Sequence, residues 1–279
     1  MSFGRKEDIF LKDMNYLVKR YKMNKKELIR KIMQKKEFSE LPKKDVRLAL
    51  KKFDGKYYLD EEKIKLTRNL LVRIFSAFMS RKLFSWKERK PSWILRKHLS
   101  TRERIPYYEE IYGRILDGMG KEISVVDLGA GVNGFSYAYF EKAGFNVDYL
   151  AVEAMGQLVK LMNKYFRREK IKARAVHLSL FDLSKVKREI KKTKEPRVVF
   201  LFKTIDSLEL MERNYSKKLI SEISDLVERI VISFPTESMI KREKIWVKRT
   251  WILRFIEKHF KIMDHFQLGA ERYIVFSKK

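Results

Sequence analysis

Apolar residues recur at spacings of three and four over residues 7–21, 25–35, 43–53 and 60–83, the repeat that turns one face of a helix toward a core. Asp60, Glu61 and Glu62 open the last of these segments and suit a helix N-terminus, where unpaired N–H groups favour negative charge. From about residue 121 the pattern changes. The runs ISVVDL, VDYLAVE, ARAVHLS, RVVFLF and RIVISF read as buried strands, with a helix over 133–143 after the first. Amphipathic segments such as EAMGQLVKLMNKYF and SKKLISEISDLV follow the later ones. Strands and helices alternating in this way form a parallel sheet covered on both faces. The final FKIMDHFQLGAERYIVFSKK reads instead as two strands around a turn at Gly269, an antiparallel hairpin on the edge of that sheet. Pro91 and Pro106 punctuate the change, which places a boundary near residue 90: a helical region over 1–90 and an α/β domain over 91–279.

Charge is distributed as unevenly as the pattern. The 279 residues carry a formal net charge of +28, and residues 1–100 alone hold 29 Lys and Arg against 12 Asp and Glu. A surplus of this size, concentrated at the front, points to a polyanionic partner such as RNA, DNA or an anionic membrane surface. No stretch approaches the roughly 18 consecutive apolar residues of a membrane span, and the first residues lack a secretory hydrophobic core, so a cytoplasmic protein is expected. There is no cysteine and there are four scattered histidines, which excludes disulfides and thiolate chemistry and makes a metal site unexpected.

The strand ending VVDL runs into Gly129-Ala130-Gly131-Val132-Asn133-Gly134, formally G-x-G-x-x-G between a strand and a helix. Glycines there let backbone approach a ligand closely. Glu153 ends the second strand 22 residues after Gly131, where an acid can accept from ribose hydroxyls. Loop and acid together indicate an adenosine-containing cofactor in a Rossmann-like domain; a tight turn with a helix cap is the plainer alternative. Asp182, after the third strand in HLSLFDL, favours S-adenosylmethionine over a nicotinamide, since an acid at that place can accept from the adenine amino group. It could equally cap the helix that follows.

From about His98 onward these residues resemble the aminoglycoside-resistance 16S ribosomal RNA (guanine-N7) methyltransferases and their relatives. HLSTRERIP is similar to that family's H-x-S-T-x-E-R-L block and DLGAGVNGFSYAYF to its cofactor loop. LFKTIDSLEL, VISFPTESMIKR and GAERYIVF are similar to three further blocks, in the family's order. The resemblance implies a class I methyltransferase sheet with a closing hairpin, preceded by a basic all-helical region that holds ribosomal RNA. It implies that Arg104 takes the carboxylate of S-adenosylmethionine, with His98 and Ser100 beside it, a task suited to a guanidinium fork. Gly129 would meet the cofactor, Glu153 its ribose, Asp182 with Leu183 its adenine, and Phe202 and Lys203 would lie near the transferred methyl. Arg104 could instead form a surface pair with Glu103 or Glu109, His98 could be a packing histidine, and Lys203 a surface lysine with a buried stem. This chain also departs from the family: Val132 and Gly134 flank Asn133 in the loop, Ile205 and Asp206 replace a usual Leu and Pro, and Met211 stands in place of a Gln.

Residues 233–251 add a substrate-side signal, mixing Lys241, Arg242, Lys244, Lys248 and Arg249 with Trp246 and Trp251. Cations can hold phosphates and an exposed indole can stack on a base. Lys241, Arg242, Lys244 and Trp246 are therefore candidate RNA contacts, while the spacing of Ile252, Phe255 and Ile256 assigns Trp251 to the core. The function expected is methylation of a base, guanine N7 favoured, in small-subunit ribosomal RNA. The alternatives are methylation of transfer RNA or another RNA, and an inactive RNA-binding relative of such enzymes.

Overall fold

Among the described residues, the front of the chain folds as three short helices around their own apolar stripe. α1 (Lys25–Met33) starts where the Asn24 side chain accepts from the Glu27 N–H, and it buries Leu28, Ile29 and Ile32. α2 (Lys43–Lys51) buries Val46, Ala49 and Leu50 on the same core, and α3 (Asp60–Leu71) adds Ile64 and Leu71. The Glu62 carboxylate accepts the Leu59 N–H at 3.0 Å and closes the first turn of α3, as the acidic run in the sequence suggested. In this computed structural model the described residues are 23–55, 57–76, 83, 90–237 and 249–279. The helix expected over 7–21 lies outside them. The one expected over 60–83 continues past Leu71 as a wider turn, Val72–Ser76, before leaving the described residues.

Beyond residue 90 come α4 (Pro91–Lys97), α5 (Leu99–Arg104) and α6 (Tyr108–Leu116), then the sheet. Its strands are β1 (Glu122–Leu128), β2 (Asn146–Glu153), β3 (Ala173–His177), β4 (Arg197–Phe202), β5 (Arg229–Pro235), β6 (Phe260–Leu268) and β7 (Glu271–Lys278), in the order β3-β2-β1-β4-β5-β7-β6. The first five are parallel; β7 runs antiparallel to both β5 and β6. The hairpin turns at Gly269, whose φ is +56°. The order reverses between β1 and β4, so the crevice beyond their C-terminal ends is where an open α/β sheet takes ligands.

The connections on this domain are α7 (Ala138–Lys142), α8 (Gly156–Arg168), α9 (Leu183–Lys191), α10 (Ile205–Met211), α11 (Tyr215–Ile223) and α12 (Thr250–His259). The continuous helix expected over 133–143 is broken instead into a tight turn, Asn133–Ser136, followed by α7. The Asn133 side chain at that turn is engaged with Asp127, Arg104 and Tyr108.

The front helices are bonded to the sheet domain. The Lys160 ammonium reaches Glu40 at 2.7 Å, Gln157 donates to the Lys36 carbonyl at 2.9 Å, and Lys44 donates to the Phe181 carbonyl at 2.6 Å. A Cβ on Gly156 would lie 2.9 Å from the Glu40 Cβ and 3.3 Å from its carbonyl oxygen, so the close approach at the start of α8 favours glycine. No helix among the described residues is long and apolar enough to cross a membrane.

Candidate cofactor site

At the C-terminal edge of the sheet lies a cavity with about 920 Å³ of empty space, its mouth included. It forms where β1 ends and the chain turns through Gly129, φ +80°, and Gly131, φ +57°. A side chain in that region of φ costs roughly 1 to 2 kcal/mol. A Cβ on Gly129 would also meet Thr204 Oγ1 at 3.0 Å, and one on Gly131 would meet His98 Nε2 at 3.4 Å. Glu153, at the end of β2, accepts the Gly131 N–H at 2.7 Å on one oxygen and the Met155 N–H at 2.8 Å on the other. Burial pushes its carboxyl above the usual range against those two bonds. Each oxygen keeps a lone pair for a further donor.

On the opposite wall α5 brings Ser100 and Arg104, and β4 brings Phe202 and Lys203. Arg104 is buried, so it is not a surface partner of Glu103 or Glu109. Its Nε donates to both oxygens of Glu271, at 3.1 and 2.9 Å, Nη1 to Asn133 Oδ1 at 3.2 Å and Nη2 to Ser100 Oγ at 3.0 Å. Those bonds leave one N–H on each terminal nitrogen, the number a bidentate carboxylate takes.

Lys203 is buried as well and is no surface lysine. Its ammonium lies 2.6 Å from Glu103 and 3.1 Å from Glu271. Its backbone, at φ +54°, is held by Ser233, whose Oγ accepts the Lys203 N–H at 3.0 Å. Burial would raise the Glu271 carboxyl, but Arg104 and Lys203 outweigh it and hold Glu271 below the usual range. Two cations and two carboxylates thus neutralise one another beside the cavity.

Burial, reinforced by Arg104 and Lys203, pulls His98 down to about 3, so its ring is neutral at working pH. Its Nδ1 is buried with no hydrogen-bond partner among the described residues. An orphaned nitrogen, two glycines at positive φ, a fixed acid at a strand end and a guanidinium with two N–H groups left fit an adenosine ligand with an amino-acid tail, as S-adenosylmethionine is.

The structure therefore gathers His98, Ser100, Arg104, Gly129, Glu153, Phe202 and Lys203 around one cavity. Asp182 and Leu183, expected to meet the adenine, are not among the residues that line it. Asp182 precedes α9, accepts from Ser184 Oγ at 3.2 Å and pairs with Lys185 at 2.9 Å, and the bond to Lys185 holds its carboxyl below the usual range. Its chain neighbours Leu180 and Phe181 line the cavity in its place. Lys241, Arg242, Lys244 and Trp246 lie outside the described residues. Arg249, expected among the phosphate-holding cations, is committed to Asp206, with Nη2 at 2.6 Å. That pair also explains the acid found at a position where the resembling family has proline.

Sequence reasoning missed several residues of the site. Asp127, next to last in β1, is buried and accepts from Tyr149 at 2.7 Å and from Asn133 at 2.8 Å. Glu271, behind Arg104, stood in a quoted block without a role, and its charge inside a strand run was the available signal. Asp45, Ile74 and Phe75 come from the front region and had no signal at all.

A family model described as ribosomal RNA methyltransferase (FmrO) matches residues 20–267. A 16S rRNA (guanine(1405)-N(7))-methyltransferase of Proteus mirabilis is 26% identical over 204 residues, 69% of this chain and 67% of that protein. One of Micromonospora rosea is 28% identical over 148 residues, and that match spans 53% of this chain and 50% of the relative's length. In three dimensions the chain is similar to the 16S rRNA methyltransferase RmtF in complex with S-adenosyl-L-homocysteine, with a TM-score of 0.73 at 20% identity, covering 92% of this chain and 100% of that one. With the family model spanning most of its length, the chain belongs to the FmrO family of ribosomal RNA methyltransferases, enzymes that use S-adenosylmethionine.

Proposed function

We propose that this protein methylates N7 of a guanine in small-subunit ribosomal RNA, using the cavity at the end of β1 to hold the cofactor and the basic front region to hold the RNA. The observation that carries the cofactor half is the convergence of seven residues, expected from separate stretches of sequence, on one cavity at the switch point of the sheet. The RNA half is supported by a groove between α1 and α2, about 2240 Å³ with its mouth included. Lys26, Arg30, Lys43, Arg47 and Lys51 are among its walls, and the acid beside them, Asp54, is paired with Lys25 at 2.6 Å. A surface of that sign neutralises phosphates without reading sequence. The relatives named above act on guanine N7 of 16S RNA, and that target is carried to this chain as part of the proposal.

S-adenosylmethionine, when bound, supplies a methyl on a sulfonium that leaves as a neutral thioether. Guanine N7 has a free lone pair, so no residue has to remove a proton. The chain's task is to hold, orient and dry the reactants, which suits a site with a neutral imidazole and paired charges. Glu153 would take the ribose and the two remaining Arg104 N–H groups the carboxylate tail. Lys203, beside the methyl, would add no net repulsion toward the sulfonium because Glu103 and Glu271 neutralise it. A target in the ribosome puts the protein in the cytoplasm. Residues 1–90 would be the RNA grip and 91–279 the transfer domain, with the cavity shared between them.

Small subunits treated with the enzyme and the cofactor, then reduced with borohydride and cleaved with aniline, should show a break in 16S RNA at one 7-methylguanosine. Methyl incorporation without such a break would place the methyl on a different atom.

A further inference from the structure

Asp45 is out of place for a residue of a basic RNA-holding helix. It stands in the first turn of α2 between Lys44 and Val46, is 1% exposed, and borders the cavity together with Leu180 and Phe181. Its Oδ1 accepts a hydrogen bond from Ser179 Oγ, just past the end of β3. Among the described residues Oδ2 takes no such bond. The Lys44 ammonium, donating to the Phe181 carbonyl at 2.6 Å, pins α2 against the same loop.

Glu153, at the end of β2, is close enough for its charge to act on Asp45. The two carboxyls are held from adjacent parallel strands, Glu153 by β2 itself and Asp45 through the Ser179 anchor after β3.

An adenosine presents two polar faces to such a site. Its ribose offers a diol, for which Glu153 is placed. Its base offers an edge with an amino donor beside a ring-nitrogen acceptor. Leu180, Phe181, Ile74 and Phe75, which line the same cavity, have apolar side chains that can cover the faces of a base but cannot bond its edge. Asp182, the acid expected there, is held by Ser184 and Lys185 outside the cavity.

We propose that Asp45 is the group that reads the adenine edge of S-adenosylmethionine, so that the helical front region completes the cofactor site of the sheet domain. The proposal rests on placing the cofactor in this cavity. A carboxylate accepts from the amino group, and a protonated carboxyl donates to the ring nitrogen beside it. A 6-oxo base in place of the 6-amino base turns the donor at that position into an acceptor, which faces a carboxylate that can only accept; a protonated carboxyl can serve either edge, so the match is broken in the ionised form.

The test is calorimetric titration of the full chain, at a pH well above 7 where the Asp45 carboxyl is ionised, with S-adenosyl-L-homocysteine and with S-inosyl-L-homocysteine, its 6-oxo counterpart, for the native protein, Asp45→Asn and Asp45→Ala. The native protein should prefer the adenosyl ligand by about tenfold or more, the cost of an unmatched polar edge. Asp45→Ala should bring the two ligands to within about threefold, mainly by weakening the adenosyl one. The near-isosteric Asp45→Asn keeps the packing and decides the matter alone if the alanine variant does not fold. Its amide donates as well as accepts, so the preference should shrink or invert. Equal losses for both ligands in the variants would overturn the proposal and leave Asp45 as a clasp between the regions. An unaltered preference would overturn it too. Failure of the native protein to bind either ligand would instead remove the cofactor assignment on which the proposal stands.

Discussion

Arg104, in the last turn of α5, holds Glu271, the first residue of β7, through both carboxylate oxygens at 3.1 and 2.9 Å, with each residue almost wholly buried. The pair joins the segment before the sheet to its closing hairpin and sets the guanidinium at the cavity wall. Glu271 also accepts from Ser233 and pairs with Lys203, so one carboxylate fixes the positions of two cations.

Removing Glu271 leaves Arg104 buried without its acid and Lys203 with Glu103 alone. Glu271→Ala should destabilise the fold by about 3 to 5 kcal/mol, the usual result of breaking a buried pair from one side. Urea denaturation measures it. A loss under about 1 kcal/mol would mean that water or a rearrangement satisfies Arg104 and Lys203.

Glu153 and Asp182 should separate in binding, although the sequence suggested equal roles. Glu153→Ala should weaken S-adenosylmethionine by about 1 to 3 kcal/mol through unpaired ribose hydroxyls. Asp182→Ala, whose carboxylate serves Ser184 and Lys185, should change affinity by less than about 0.5 kcal/mol, as surface substitutions do. Titration calorimetry on the two variants checks this, and a large loss for Asp182→Ala would mean that the loop after β3 turns inward on binding.

Burial pushes the Asp45 carboxyl up to about 7; the nearby Glu153 adds to this, while Ser179 and Lys44 oppose it. Between about pH 4 and that value the folded protein keeps a proton that the unfolded chain has released. Stability conferred at this site therefore falls as pH rises through the window, by at most about 1.4 kcal/mol per pH unit, and is level above it. Asp45→Asn should remove this component. Denaturation midpoints at several pH values should show the native protein losing ground to the variant as pH rises; parallel curves would contradict the account.

The groove between α1 and α2 should govern the salt dependence of RNA binding. An Arg30/Arg47/Lys51 triple alanine variant should lower the slope of log affinity against log salt by about 0.7 to 0.9 for each phosphate that is no longer neutralised. Its cofactor affinity should be unchanged, since none of the three lines the cavity. An unaltered slope would move the RNA grip elsewhere on the chain.

Much of the sheet was legible because its strands are short apolar runs bounded by turns, and two-sided burial leaves them little choice of residue. The loop and Glu153 were legible because a backbone that must approach a ligand needs glycine, and glycine shows in a sequence. Asp45 was not, because a lone acid among lysines on an amphipathic helix looks like a solvated side chain, and only the docking of α2 turns it inward. Asp182 is the opposite case. It stands at the right distance along the chain, but Lys185 and Ser184 hold its side chain near the start of α9, a competition that strand spacing does not reveal. The break after Asn133 was hidden because helix periodicity cannot show that the asparagine is fully engaged by Asp127, Arg104 and Tyr108.

The central claim is that a cofactor held in this cavity methylates small-subunit ribosomal RNA. The most direct measurement is transfer of labelled methyl from S-adenosylmethionine to purified small subunits and, in parallel, to bulk transfer RNA, by the native protein and by Glu153→Ala. The account predicts near-stoichiometric incorporation into 16S RNA by the native protein, a rate lower by about tenfold or more for the variant at limiting cofactor, and background incorporation into transfer RNA. Label in transfer RNA in place of 16S RNA, or equal rates for the two proteins, would contradict it.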